Sequence, residues 1–188
     1  IAFRSGRQIG KTTLTAIKAI YHAVNNPNSQ VIIVSKSREQ AGIMFRKIRI
    51  YCQHDYIKSK ITRETYTMIF FDNNSEIHCL PGNNPDSVRG YSPTLLIIDE
   101  AHFVKEGLFV YSEPGLAATD GSLILLSTTS GKTGRFYRAF QEDLFEKYHV
   151  KSEQCPLIGK DFLKEQRTIM TEIEYLREYE GEFISEED

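Results

Sequence analysis

The sequence predicts an α/β fold: a mainly parallel central sheet with helices on both faces. Two observations carry this. Val31 to Val34, Leu95 to Ile98 and Leu123 to Leu126 are continuous apolar runs, the pattern of strands buried on both faces. Amphipathic helical patterns alternate with those strands, which is the order of a parallel sheet. A third observation adds a detail. Thr65 to Phe71 and Glu76 to Leu80 flank Asp72-Asn73-Asn74-Ser75, the signal of a small β-hairpin insertion.

Each element has its own warrant. Ile1 to Arg4 reads as a short strand, Ser5 to Gly10 as a loop and Lys11 to Val24 as a helix. Leu14, Ile17, Ile20, Tyr21 and Val24 recur at helical spacing and are expected to form its core face. Asn25-Asn26-Pro27-Asn28 stops it. Ser37 with Gln40 makes a capping-box start for a helix to about Cys52. Residues 81 to 93 are loop. Residues 106 to 118 are helical but interrupted at Pro114 and Gly115. Phe136 to Phe145 reads as a helix and His149 to Lys151 as a strand. The last third is helical, with Phe162, Ile169, Ile173 and Leu176 on one face and a break where Thr171 and Glu174 form a capping box. Glu182 to Asp188 is acidic and reads as the start of a linker, so the domain is expected over residues 1–180 and the linker over 181–188.

Composition bounds the function. At 188 residues and 40% apolar content, one domain can build its core without staples. A net charge of −2 gives no argument for a nucleic-acid or membrane partner. Cys52, Cys79 and Cys155 lack metal-ligand spacing, and a sparse, odd count suits a reducing compartment. No apolar run is long enough to span a bilayer, so no membrane partner is expected. The chain opens inside a strand-like run, as expected of a piece lacking an N-terminal segment.

The chemistry concentrates in Ser5-Gly6-Arg7-Gln8-Ile9-Gly10-Lys11-Thr12-Thr13. A strand, a small-residue loop and a helix opening on Gly-Lys-Thr make a phosphate-binding loop. Backbone N–H groups and the helix N-terminus attract the phosphates of ATP. The Lys11 amine reaches the outer phosphates, and the Thr12 hydroxyl is an expected Mg²⁺ ligand. Ser5 stands where the pattern has its first Gly. The apolar run 95–98 ends in Asp99-Glu100, at the strand end where open α/β sheets bind ligands. Asp99 is expected to hold Mg²⁺, and Glu100 to orient the attacking water. The plain alternative is a pair of solvated carboxylates. His102 completes an Asp-Glu-Ala-His string and is given no catalytic role.

Three further features are weighed against bland readings. Ser127, Thr128, Thr129 and Gly131 sit at another strand end, and either sense the γ-phosphate and pass its loss to a moving part or form an ordinary polar loop. Arg7 either stabilises the transferring phosphoryl group or braces the loop against a carboxylate. Arg89 is either an arginine finger for a neighbouring subunit or a structural ion pair. The basic run Arg46-Lys47-Ile48-Arg49-Ile50-Tyr51 reads as a solvated helix face rather than a nucleic-acid contact.

Together these residues resemble the ATPase domain of the large terminase subunit of tailed bacteriophages. Arg7-Gln8-Ile9-Gly10-Lys11-Thr12, Arg89-Gly90, Asp99-Glu100-Ala101 with Phe103, and Thr128-Thr129-Ser130-Gly131 carry the resemblance, with Ser130 departing from a Thr-Thr-Pro pattern. It spans Phe3 to about Phe183. It implies a P-loop NTPase fold of the additional-strand, catalytic-glutamate type, with Mg²⁺ as cofactor. It implies Arg7 acting in cis, Arg89 as a trans finger, and coupling through Thr128. It also implies a homo-oligomeric ring on a capsid portal, with a small terminase subunit, moving double-stranded DNA in the cytoplasm of an infected host cell. An adenine-holding segment before Ile1 and a nuclease domain after Asp188 are implied for the longer protein, so this chain is expected to turn over ATP weakly alone and not to cut DNA. The alternatives are a DEAD/DEAH-type helicase core, favoured by the Asp-Glu-Ala-His string, and a nucleotide switch with little turnover.

Overall fold

The computed structural model describes residues 1–185. In chain order the elements are β1 (Ala2–Ser5), α1 (Lys11–Asn25), β2 (Gln30–Ser35), α2 (Arg38–Tyr51), α3 (Asp55–Lys58), β3 (Ile61–Glu64), β4 (Met68–Phe71) and β5 (Glu76–Pro81). There follow β6 (Leu95–Asp99), α4 (Glu106–Thr119), β7 (Ser122–Ser127), α5 (Gly134–Gln141), β8 (Lys147–Val150), α6 (Lys160–Ile169) and α7 (Glu172–Glu178). Across the sheet the strands run β3-β4-β5-β2-β6-β7-β1-β8. The sheet is mostly parallel, as expected. The chain divides into two compact units, one of Thr12–Asp99 with Phe103–Ile124, the other of Ile1–Lys11, Glu100–His102 and Leu125 onward.

In the first unit, β2 is the centre. It pairs in parallel with β6 on one side and β5 on the other. Val31 to Val34 and Leu95 to Ile98 are all buried, and each such side chain contributes roughly 1.5–3 kcal/mol of transfer free energy. The expected hairpin is β4–β5, with antiparallel pairing, but it is no appendage: β5 runs along the whole of β2, from Gln30 opposite Glu76 to Ser35 opposite Pro81. Strand β3 was not legible. Its residues Ile-Thr-Arg-Glu are mostly exposed and it hangs on β4 as a bulged, charged edge, which blunts edge-to-edge pairing. Helix α2 starts on Ser37, whose hydroxyl accepts from the Gln40 amide at 3.2 Å.

Helix α1 corrects one expectation. Its buried face is Thr15, Ala16, Ala19, Ile20 and Ala23, while Leu14, Ile17 and Tyr21 are exposed. Both sets have helical spacing, and the smaller side chains are the ones that bring a helix backbone close to its support. Helix α4 corrects another. It runs unbroken through Pro114 and Gly115. A Cβ at Gly115 would lie 2.4 Å from the Tyr91 carbonyl oxygen, and one at Gly121 2.4 Å from that of Pro93. Tight packing against the loop before β6 outweighs the local cost of Pro and Gly.

In the second unit, β1 lies between the β7 end and β8, parallel to both. Helix α5 ends at Gln141, four residues before the expected limit, and Arg135 pairs with Glu142 just beyond it at 3.0 Å. The break before α7 is as expected, with Thr171 and Glu174 capping reciprocally. The buried face there is not. Leu163, Tyr175 and Tyr179 form the cluster, with Ile158 and Met170 against it, while Phe162 and Ile169 are exposed. Two tyrosines outrank the aliphatic residues because each ring buries a large apolar area while keeping its hydroxyl placeable.

Candidate active site

The phosphate loop belongs to the second unit up to Lys11. Ser5 ends β1 fully buried, and Gln8 (φ 61°) and Gly10 (φ 92°) are both left-handed. Such turns point successive backbone N–H groups one way and make an anion-binding concavity. The departure at Ser5 has a structural answer. Its hydroxyl donates to the Gly6 carbonyl at 3.0 Å and accepts from Lys11 Nζ at 3.4 Å, and Nζ also donates to the Gly6 carbonyl at 3.3 Å. Gly6 is required for a reason absent from the sequence pattern. A Cβ there would come within 2.2 Å of both the Tyr179 carbonyl oxygen and Ser152 Oγ.

Arg7 is held by the end of α7. Its Nε donates to the Glu178 carboxylate, and its amide donates to the Glu178 carbonyl at 2.7 Å. Ser152 Oγ donates to the Arg7 carbonyl at 2.9 Å. The Glu178 hydrogen bond, reinforced by the charges of Glu178 and Glu100, raises the guanidinium pKa above its ordinary value. Arg7 is thus paired with a carboxylate of α7 in this structure.

Glu100 lies in the same unit, with φ 54°. A bulky residue in that region is uncommon and is tolerated where the surroundings over-determine it. Its Oε2 accepts from Ser127 Oγ at 3.1 Å and more weakly from Thr128 Oγ1 at 3.5 Å. The two strand-end motifs, separate in sequence, thus meet at one carboxylate oxygen. Thr129 turns the other way: its Oγ1 donates to the Glu182 carbonyl at 2.7 Å. Gly131 follows in the same loop, half-buried. His102 stacks edge-on to Phe136 and tilted against Phe183, and burial pushes its pKa down. That is a packing role.

Sequence reasoning missed the stretch from Arg177 to Ile184. Glu178 and Tyr179 touch the loop, and Gly181 (φ 65°) has no room for a Cβ, which would lie 2.9 Å from the Ser5 carbonyl carbon. Glu182 pairs with Arg4 at 2.9 Å. Phe183 enters an aromatic group with Phe136, Tyr137 and Phe140. The Ile184 amide donates to the Ser130 carbonyl at 3.2 Å, and Arg177 grips the Ile184 carbonyl at 2.6 Å. Residues 181–185 of the expected linker are packed in this way; its last three residues lie outside those described. The charges Glu178, Glu180 and Glu182 were visible, but nothing in their spacing names the loop as their partner.

The remaining site residues lie in the first unit. Thr12 and Thr13 open α1, half-buried, and Asp99 ends β6 buried. Thr12 follows Lys11, and Asp99 precedes Glu100, in the chain. A hydroxyl and a carboxylate are hard oxygen donors of the kind Mg²⁺ takes alongside water and substrate phosphates. Arg89 closes a short helical turn, Pro85–Val88, and pairs with Asp86 at 3.0 Å. Arg46 and Arg49 line a groove on α2 with Phe45, Glu64 and Tyr66, and Arg49 pairs with Glu64.

Known proteins resemble this arrangement. Residues 2–188 match the family described as terminase large subunit, T4likevirus-type, N-terminal. The large terminase subunit of Thermus phage G20c is 23% identical over 218 residues, covering 96% of this chain and 45% of that protein. The chain thus spans less than half the length of this curated relative. Among solved structures, the large terminase ATPase domain of Thermus phage P74-26 has a TM-score of 0.85 at 21% identity, covering 97% of this chain and 88% of that one. The large terminase of bacteriophage HK97 has a TM-score of 0.77 at 20% identity, covering 97% and 47%. At these identities the structural likeness speaks for the fold.

Proposed function

We infer that this chain, which belongs to the terminase large-subunit family, is the ATP-hydrolysing part of a motor that drives double-stranded viral DNA into a capsid. The observation that carries the reading is the pairing of Glu100 with Ser127 and Thr128 in the same unit as the Ser5–Lys11 loop. Membership of this family rather than of the DEAD/DEAH helicases sets the helicase alternative aside.

In this reading the loop 5–11 and the start of α1 hold the triphosphate. Lys11 exchanges its bonds to Ser5 and Gly6 for phosphate oxygens, an exchange of weak hydrogen bonds for charge-assisted ones. Thr12 and Asp99 would hold Mg²⁺, whose charge would offset that of the phosphates. Glu100 positions the water. Its ties to Ser127 and Thr128 compete with that task, so the carboxylate must exchange hydroxyl for water as the site becomes competent. The next residues of the same strand end are bonded to Arg177, Glu182 and Ile184, which supports a coupling role for Ser127 to Gly131: a shift at Glu100 reaches residues 177–184 through the hydrogen bonds of Thr129 and Ser130. Arg7 acts in cis after leaving Glu178, and Arg89 acts on a neighbouring subunit's nucleotide. The partners follow from the same reading: a homo-oligomeric ring, a portal, a small terminase subunit and DNA, in the host cytoplasm.

The test is phosphate release by the assembled protein on duplex DNA. Lys11→Ala abolishes both nucleotide binding and release. Unchanged release in Lys11→Ala contradicts the reading, and tight binding with no release by the native protein on DNA points instead to a switch.

A further inference from the structure

The setting of Arg89 is built to present its side chain rather than to consume it. The Arg89 guanidinium meets Asp86 through Nε at 3.0 Å, and its central carbon lies 3.9 Å over the Tyr111 ring. Five N–H donors are available on an arginine fork. Among the described residues no hydrogen bond occupies the four on the two Nη atoms, and 57% of the side chain is exposed. Arginine–carboxylate pairs are frequently bidentate, with two parallel hydrogen bonds. Here the acid takes the near side, the ring supports the flat face, and the far edge is left for another acceptor.

Local sequence produces this arrangement. Asn84 caps the turn by accepting from the Asp86 amide at 3.1 Å, and the Arg89 amide donates to the Asp86 carbonyl at 3.1 Å, so acid and arginine sit one turn apart. Gly90, at φ 82°, redirects the chain immediately afterwards. On α4, Gly107, Tyr111 and Gly115 are four residues apart and share a face. A Cβ at Gly107 would be 3.5 Å from Pro85, and one at Gly115 would strike the Tyr91 carbonyl oxygen. Gly115 lets the helix approach the loop one turn beyond the ring that Arg89 lies on, while Gly107 sits at ordinary contact distance from Pro85 on the other side.

We propose that Asp86 and Tyr111 are positioning residues that hold Arg89 with its Nη edge outward, preset to engage phosphate oxygens bound by a second copy of this chain. This rests on the reading of Arg89 as a finger in trans. A ring stacked under the guanidinium and a neighbouring carboxylate limit the rotamers the long side chain explores, so less order is lost when it engages.

The experiment uses the intact protein assembled on DNA, with steady-state turnover measured for Arg89→Ala, Tyr111→Leu, Tyr111→Phe and Asp86→Ala. Arg89→Ala loses about 10³-fold in kcat. Tyr111→Leu and Asp86→Ala each lose about tenfold in kcat with KM unchanged, and Tyr111→Phe, which keeps the ring, restores the native rate. A mixing readout separates positioning from folding. Lys11→Ala subunits cannot turn over but still offer Arg89 to a neighbour; adding Tyr111→Leu to those dead subunits lowers the turnover of native subunits mixed with them. If Arg89→Ala is harmless, the finger reading itself falls. If Arg89→Ala is inactive while Tyr111→Leu and Asp86→Ala stay within twofold of native, or if Tyr111→Phe fails as badly as Tyr111→Leu, the positioning inference is overturned and the finger stands.

Discussion

Arg7 and Arg89 each meet a carboxylate through Nε, yet the two settings differ in reach. The partner of Arg7, Glu178, is 171 residues away on α7 and is joined by backbone contacts to the same loop. The partner of Arg89, Asp86, is three residues away on the same turn. The first is a tertiary latch that ties the phosphate loop to α7. The second is a preset made by the arginine's own turn together with the Tyr111 ring of α4. One arginine is held by an element distant in the chain, the other by its own turn and a ring of α4.

Of the two arginines, removing Arg89 itself has the larger expected consequence, the loss of about 10³-fold in assembled Arg89→Ala, with no loss in demonstrable monomer. An equal loss in monomer removes the role in trans. Packing behind the latch comes next. Gly6→Ala forces a methyl group into the Tyr179 carbonyl, and overpacking of this kind costs about 1–3 kcal/mol. Calorimetry is expected to show a fall in Tm of several degrees, at roughly 2–4 °C per kcal/mol for a domain of this size. Loosening the latch itself is subtler. Glu178→Gln leaves stability within about 1 kcal/mol, because Arg7 is well exposed. It tightens nucleotide binding a few-fold if Arg7 is thereby released for phosphate. Weaker binding on titration says that Arg7 serves only as a brace.

The smallest effect is a pH dependence away from both arginines. Burial lowers the pKa of His102 below 6.5, so the folded state keeps it neutral while the unfolded chain takes up the proton. Stability is flat above about pH 6.5 and falls as pH drops towards the folded pKa. In His102→Gln the acid-side decline in a denaturant series becomes shallower; an unchanged slope shows that His102 does not titrate in the packed state.

The sequence made β2, β6 and the loop between β1 and α1 legible for a simple reason. Strands buried on both faces show as unbroken apolar runs, and a phosphate loop needs fixed residue types at fixed spacing. Legibility failed where side-chain size misleads. In α1 the alanines face inward and Leu14, Ile17 and Tyr21 outward, because close approach mattered more than buried area. In α4, Gly115 marks contact with Tyr91, not a helix end. At the site, the roles expected of Lys11, Asp99 and Glu100 rest on local pattern. The contacts of Glu100 with Ser127 and of Gly6 with Tyr179 are long-range, and no local period encodes them.

The central claim is that Glu100 positions the water for hydrolysis and contributes little to holding the nucleotide. Glu100→Gln keeps the shape and one acceptor oxygen but loses the charge. The decisive measurement is the affinity for ATP and the turnover rate of this single variant, assembled on DNA. We predict affinity within about threefold of native and turnover lower by about 10²–10⁴. Turnover near the native rate, or loss of binding in step with turnover, contradicts the account.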